Sequence, residues 1–74
     1  MRFKYFTNQS EGFEGTSIAI NPDHIISVLE KKIIVADEDG NRELKQTILF
    51  GGSKGTWMVS EDMLTVVSRL NEKD

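Results

Sequence analysis

The residues best suited to chemistry lie in the glycine-rich segment 51–56, which contains one lysine, Lys54. Glycine-rich loops with a lysine can bind phosphate groups, because their backbone N–H groups point at the anion. A nucleotide-binding P-loop places its lysine after the last glycine and begins a helix directly behind it. Here Lys54 precedes Gly55, and the residues that follow are typical of a strand. The order therefore indicates a flexible hairpin tip.

The acidic segment around Asp39 and the single histidine, His24, are the candidates for a metal site. An EF-hand calcium loop has glycine at its sixth position and glutamate at its twelfth. Counted from Asp37, these positions hold Arg42 and Ile48, so the segment is interpreted as a solvated turn. A lone histidine in a chain without cysteine matches neither a common zinc spacing nor a catalytic triad. We therefore predict no enzyme activity, no cofactor and no metal.

Basic and aromatic residues alternate at the start of the chain, where Arg2, Lys4 and Phe6 would share one face of a strand. Proteins that bind single-stranded nucleic acid stack aromatic rings on bases and place cations against phosphates. The residues available for such a site are Arg2, Lys4, Phe6, Lys31 and Lys32. An ordinary edge strand, with aromatic side chains inward and charges outward, is the interpretation we favour, because alternation separates most of the aromatic rings from the charges.

Trp57 and Lys54 are the candidate residues for contact with a protein partner. Tryptophan is enriched among the residues that dominate binding at protein interfaces. Alternation leaves two orientations open: Trp57 faces outward if Met58 faces the core, and inward if Trp57 and Val59 face it.

The rest of the sequence is organised as short strands. Runs with strand-like composition cover residues 2–7, 16–20, 25–30, 33–36, 44–50 and 56–59. Asp39 and Gly40 tolerate the backbone angles of a tight turn, which predicts a hairpin between residues 33–36 and 44–50. Asn21 is placed to cap a single helical turn that begins at Pro22.

One helix is predicted from Glu61 to about Asn71, with Ser60 as its N-cap and negative charge in its first turn. We therefore predict an α+β fold, an antiparallel meander of about five strands with one C-terminal helix packed on one face. The predicted core comprises Ile18, Ile20, Ile26, Val28, Ile33, Val35, Ile48, Phe50, Met63, Val67 and Leu70.

The length of 74 residues predicts a single domain, 1–74. A domain of this size buries roughly 60% of its unfolded surface and often gains stability by oligomerising. The absence of cysteine favours a reducing cytoplasm, and neither a signal peptide nor a membrane-spanning run is expected. Twelve acidic and nine basic residues give a net charge of −3, which does not favour non-specific binding to duplex DNA.

The order of local features carries a family resemblance over about residues 16–70. It runs from Ile20-Asn21-Pro22-Asp23-His24-Ile25 through a turn at Asp39-Gly40 to Trp57-Met58-Val59-Ser60-Glu61 at the final helix. This order resembles the FlbD-like family of small bacterial β-rich proteins associated with flagellar operons and, more remotely, the LytTR domain. The LytTR resemblance would imply DNA binding, but the acidic charge balance does not support DNA binding. The strand at residues 2–7 and the longer segment 44–56 are additional to the family pattern, so no motility role is transferred.

The sequence thus predicts a small non-enzymatic interaction or regulatory protein that acts as a cytoplasmic homo-oligomer, a dimer or a small assembly. Single-stranded nucleic-acid binding through the N-terminal basic and aromatic strand is the alternative.

Overall fold

The computed structural model describes residues 3–72 of the chain. Its strands and helix are β1 (Lys4–Thr7), β2 (Ser17–Ile20), β3 (Ser27–Asp37), β4 (Gly40–Phe50), β5 (Thr56–Val59) and α1 (Met63–Leu70), with single turns of 3-10 helix at Pro22–His24 and Gly52–Lys54. One antiparallel sheet pairs β1 with β2, and the other has the order β3-β4-β5. The α+β class and the antiparallel meander with a C-terminal helix are confirmed.

The two sheets meet where β1 and β5 end. Asn8 forms an isolated antiparallel bridge with Val59. The Ser60 N–H donates to the Thr7 carbonyl at 3.0 Å, and the Gln9 N–H donates to the Met58 carbonyl at 2.9 Å. These bonds satisfy backbone groups that the strand ends would otherwise leave unpaired.

The hairpin of β3 and β4 is longer than the sequence predicts. The predicted runs 25–30 and 33–36 are one strand, because Lys31 and Lys32 continue the ladder opposite Gln46 and Lys45. Neither lysine removes a backbone donor or demands an unusual φ, so two charges do not end a strand. The turn lies within the predicted segment, but its two central residues are Glu38 and Asp39. Gly40, at φ +116°, is the first residue of β4 and pairs with Asp37.

The helix begins later than predicted, and its N-cap is Asp62 rather than Ser60. The Thr65 N–H donates to Asp62 Oδ1 at 2.7 Å, which satisfies one of the unpaired donors of the first turn. Hydrogen bonds from the Thr65 side chain and backbone hold the pKa of Asp62 below its usual value. Glu61 therefore lies outside the helix, and its carboxylate accepts hydrogen bonds from the Thr7 N–H instead.

The core lies between the β1–β2 pair, the base of the three-stranded sheet and α1. Its buried apolar members are Phe6, Ile20, Leu49, Val59 and Val66, with Ile18, Ile25, Val28, Trp57 and Leu70 packed against them. Three predicted core residues are instead exposed: Ile26, Phe50 and Val67. For β4, the correction follows from alternation, because Leu49 is fully buried and its neighbour Phe50 must face the other way.

Candidate interaction surface

The three-stranded sheet has two chemically different faces. Directly opposed residues on neighbouring strands share a face, and successive residues alternate. Leu49 lies opposite both Val28 and Trp57, and Val59 lies opposite Thr47. These residues define the inner face, which packs on the core.

The opposite side of the sheet has apolar side chains at seven positions, and it also carries the polar residues Lys31, Asp37, Arg42 and Gln46. We call this side the apolar face; its apolar members are Leu29, Ile33, Val35, Leu44, Ile48, Phe50 and Met58. Leu29 is 51% exposed, Leu44 42% and Phe50 40%. Apolar residues at seven positions on one side of a sheet exceed what scattered surface residues would give. This side is therefore a candidate contact surface.

The outer part of the hairpin projects from the body. Because β5 pairs only with Thr47–Phe50 of β4, residues 31–46 form a two-stranded ribbon, which we call the hairpin arm. The described chain measures 46 × 24 × 21 Å, consistent with an arm that extends along the longest axis. A two-stranded ribbon has little stability of its own in water.

The inner side of the arm is charged. Lys32 forms an ion pair with Glu43, and Lys45 forms one with Glu30, both at 3.7 Å. These pairs are largely exposed, so each contributes between about 0 and 1 kcal/mol. Ile34 and Ala36 lie on this side too, and the other side of the arm carries charged residues beside Ile33, Val35 and Leu44. Both sides of the arm thus combine solvated charges with apolar groups.

The free edge of β3 is the second candidate contact. β3 pairs on one side with β4 and ends the sheet on its other side. Residues 33–36 of this edge are Ile33, Ile34, Val35 and Ala36, without proline, glycine or charge. Natural proteins usually protect such an edge, because its unpaired backbone groups can pair with another chain.

Trp57 faces inward, so the second of its two predicted orientations is the one adopted. It is half-buried and packs against the core, and its ring covers Gly51 and Gly55. A Cβ built on Gly51 would lie 2.8 Å from Trp57 Cζ3. Lys54 is exposed at the end of the short 3-10 turn. Partner binding by these two residues remains a prediction.

The residues considered for nucleic-acid binding do not form one surface. Phe6 is buried, and Lys4 is buried beside it with its Nζ 3.8 Å from Glu72. The expectation that β1 turns its charge outward is therefore wrong for Lys4, while Tyr5 is the exposed ring. Lys31 and Lys32 are exposed on opposite faces of β3. Arg2 lies outside the described residues.

The polar cluster around Glu61 was not predicted from the sequence. The Thr7 N–H donates to both carboxylate oxygens of Glu61, at 2.9 and 3.0 Å, and the Thr7 hydroxyl donates to Oε2 at 3.1 Å. Arg69 Nη1 lies 3.5 Å from the same Oε2 and donates to the Tyr5 carbonyl at 2.8 Å. The Arg69 guanidinium also lies 5.4 Å from the centre of the Phe6 ring. These contacts tie β1 to α1, and every group in them has a structural partner.

Residues 3–72 contain neither a cluster of metal-binding side chains nor a membrane-spanning helix. No group of three or more histidine, aspartate and glutamate side chains in this range lies close enough together to hold a metal ion. No helix in the same range is long and apolar enough to cross a membrane.

Comparison of the chain with protein-family models, with curated proteins and with solved structures finds no match.

Proposed function

We propose that this protein is a small non-enzymatic interaction protein that acts as a homo-oligomer and assembles through its hairpin arm. The observation that carries the proposal is the arm itself, a two-stranded ribbon with the exposed apolar residues Ile34 and Leu44 and no third strand among the described residues. Burying apolar side chains and pairing a free edge would each stabilise the assembly. A cytoplasmic setting belongs to the proposal, because the chain has no cysteine to benefit from an oxidising compartment.

The size of the domain supports the same proposal. Only five apolar side chains in the described residues are buried, which is a small core. Association adds buried surface that one copy of a short chain cannot supply for itself. The resemblance to FlbD-like proteins adds no activity to this proposal.

Sedimentation equilibrium over micromolar concentrations tests the proposal directly. The full chain has a mass of 8.4 kDa, and the expected result is a concentration-dependent mass above that value. A constant mass of one chain at all concentrations would contradict the proposal.

A shortened hairpin tests whether the arm makes the contact. Residues 32–45 are replaced by Asn-Gly, so that Lys31 and Gln46 flank a two-residue turn. The buried apolar residues all lie outside the deleted segment, so the variant is expected to fold and to sediment as a single chain. Asp39→Asn is the matched control, because it keeps the turn and both strands. Association of the shortened chain as strong as that of the full chain would place the contact elsewhere.

Single-stranded nucleic-acid binding is the alternative proposal, and less in the structure supports it. Its stacking residue Phe6 is buried, and Lys4 pairs with Glu72. Lys31 remains exposed. A mobility-shift assay with mixed-sequence oligonucleotides at low salt tests it, and a shift that Lys31→Ala and Lys32→Ala abolish would favour it over self-association alone.

A further inference from the structure

We propose that two copies of this chain pair edge to edge through residues 31–37 of β3, antiparallel about a two-fold axis at Ile34. In this register, Lys31 of each copy lies opposite Asp37 of the other. The inference rests on the proposed self-association and adds to it the contact segment, its direction and its register.

The β3 edge is better suited to pairing than the other free edge of the arm. On β4, the unpaired residues 40–46 begin with glycine and asparagine and include Arg42, Glu43 and Lys45. Charges on an edge discourage pairing with another chain. On β3, four consecutive uncharged residues, 33–36, lie between Lys32 and Asp37. Three of these four are β-branched and suit a pleated strand.

The turn determines which backbone groups face the β3 edge. Asp37 and Gly40 close a two-residue turn, and such a pair exchanges both of its N–H···O bonds. The ladder continues without a bulge to Ser27, and the bonded pairs alternate along it. The odd-numbered residues of β3 therefore direct their N–H and C=O groups toward β4. The even-numbered residues direct theirs toward the free edge.

This parity restricts the registers that a second β3 can adopt. The backbone groups of both copies meet only if even-numbered residues oppose even-numbered residues. A two-fold axis must then pass through a residue rather than between two residues.

Charge eliminates most of the registers that remain. An axis at Glu30, Lys31 or Lys32 places two like charges directly opposite each other, which destabilises a strand pair. An axis at Ile33 brings no opposite charges together and sets Lys31 against Val35. An axis at Val35 leaves only five paired residues and sets Asp37 against Ile33.

An axis at Ile34 has none of these defects. It pairs Lys31 with Asp37 twice, once on each side of the axis, and pairs Ile33 with Val35 twice. The two Ile34 side chains meet at the centre, and Lys32 lies opposite the small Ala36. Opposite charges and β-branched residues in direct opposition each stabilise an antiparallel pair.

Lys31 and Asp37 can each contact a second copy of the chain. Lys31 is exposed and has no ion-pair partner among the described residues. The Asp37 carboxylate accepts the Asp39 N–H on Oδ1 at 3.0 Å, and its Oδ2 lies 3.7 Å from Nε of the exposed Arg42. Within one chain Lys31 and Asp37 lie six residues apart on one strand, about 20 Å. A Lys31–Asp37 contact can therefore form only between copies.

The closing experiment exchanges these charges one at a time and measures the dimer dissociation constant by sedimentation equilibrium. Lys31→Glu and Asp37→Lys each create two like-charge pairs, and each is expected to raise the constant at least about tenfold. An equimolar mixture of the two variants restores both opposite-charge pairs, so it is expected to form a heterodimer as strong as the wild-type dimer. Glu11→Lys, the same charge change in an exposed loop of the body, is the control and should leave the constant unchanged.

Each result bears on a different statement. A wild-type chain that stays monomeric contradicts the proposed function and, with it, this inference. A wild-type oligomer that neither single variant weakens, or a mixture that fails to restore association, overturns the register and leaves self-association standing.

Cysteine cross-linking supplies a second test that does not depend on charge, in a chain with no cysteine of its own. Hydrogen-bonded partners in an antiparallel pair have Cα atoms about 5.5 Å apart, within the range of a disulfide. Ile34→Cys is therefore expected to give a disulfide-linked dimer under mild oxidation. Ala36→Cys, exposed on the same side of β3, would place its two sulfurs about 13 Å apart along the strands and should remain unlinked. Equal cross-linking of both variants would overturn the register.

Discussion

Glu61 shows how one side chain can join distant parts of a small protein. Its carboxylate accepts hydrogen bonds from Thr7 and lies beside Arg69, so it links the end of β1 to α1. Its own carbonyl accepts a hydrogen bond from the Thr47 hydroxyl at 2.7 Å, which adds β4 to the same cluster. A carboxylate that accepts several hydrogen bonds in a partly buried site stabilises the fold only while all its partners remain in place.

Replacement of Glu61 by alanine is expected to lower the free energy of unfolding by about 1–3 kcal/mol, because the Thr7 N–H loses its acceptor. Urea denaturation followed by circular dichroism measures the change. Glu38→Ala, in the exposed hairpin turn, is the matched control and should stay within about 0.5 kcal/mol of wild type. Equal losses in both variants would show that Glu61 is not the link described.

The Asp62 cap predicts a pH dependence of stability. Its pKa is lower in the folded protein than in the unfolded chain, so its stabilising contribution is complete above the unfolded-state pKa and is lost as the pH falls through the folded-state value. Asp62→Asn retains a capping oxygen without a charge. The melting temperature of wild type should therefore fall more steeply on acidification than that of Asp62→Asn. Parallel curves from thermal melts across the acidic range would contradict the prediction.

At the scale of elements, the segment between β4 and β5 closes around Gly51. The Gly51 N–H donates to the Gly55 carbonyl at 2.8 Å, and the Trp57 ring covers both glycines. The segment that first suggested phosphate binding is thus a compact turn packed against a tryptophan.

Gly51→Ala is expected to destabilise the protein by about 1–3 kcal/mol through overpacking. A Cβ at this position would lie 2.8 Å from both the His24 carbonyl oxygen and Trp57 Cζ3. The change is measured as the shift in the urea midpoint. Ser53→Ala, exposed in the same turn, should leave the midpoint unchanged, and an equal shift there would refute the steric explanation.

The elements that the sequence predicts well are those set by local chemistry. Gly40 supplies the positive φ beside the hairpin turn, and Asn21 accepts the Asp23 N–H at 3.0 Å to cap the turn at Pro22. The core face of β4 was mispredicted because residues 48–50 are all apolar, and alternation alone cannot choose between its two faces. The position of Leu49 opposite Trp57 makes that choice.

The candidate contact surface was predictable only in part. The run of four uncharged residues 33–36 between Lys32 and Asp37 is readable from the sequence, but the extent of the free edge depends on where β5 pairs with β4. The role of Glu61 was not predictable at all, because its partner Thr7 lies 54 residues away. Contacts between residues that are distant in the sequence do not produce a local sequence pattern.

At the scale of the whole molecule, edge pairing would join two three-stranded sheets into one of six strands. A two-fold axis perpendicular to the sheet keeps both helices on one side and both apolar faces on the other. The dimer would therefore bring the two apolar faces side by side, in contact through the Ile33–Val35 pairs between the two Lys31–Asp37 pairs, and available to a further copy or to a partner.

Self-association also predicts that thermal stability depends on concentration. If the folded chain associates and the unfolded chain does not, the melting temperature rises as the protein concentration increases. Thermal melts of wild type over a hundredfold range of protein concentration measure the rise. Over this range, association changes the free energy of unfolding by at most about 2.7 kcal/mol. The shortened-hairpin variant is the control and should melt at one temperature throughout, whereas a concentration-independent wild type would contradict association.

The position of Trp57 has a spectroscopic consequence. It is the only tryptophan in the chain, and it packs against the glycine turn at the base of the sheet, opposite Leu49 and away from the arm. Its indole emission therefore reports on the body alone, while far-ultraviolet ellipticity records the strands of the body and the arm together. Fraying of the arm in an isolated chain would lower the ellipticity before it shifts the emission maximum, and the two optical signals would separate the loss of the arm from the loss of the fold.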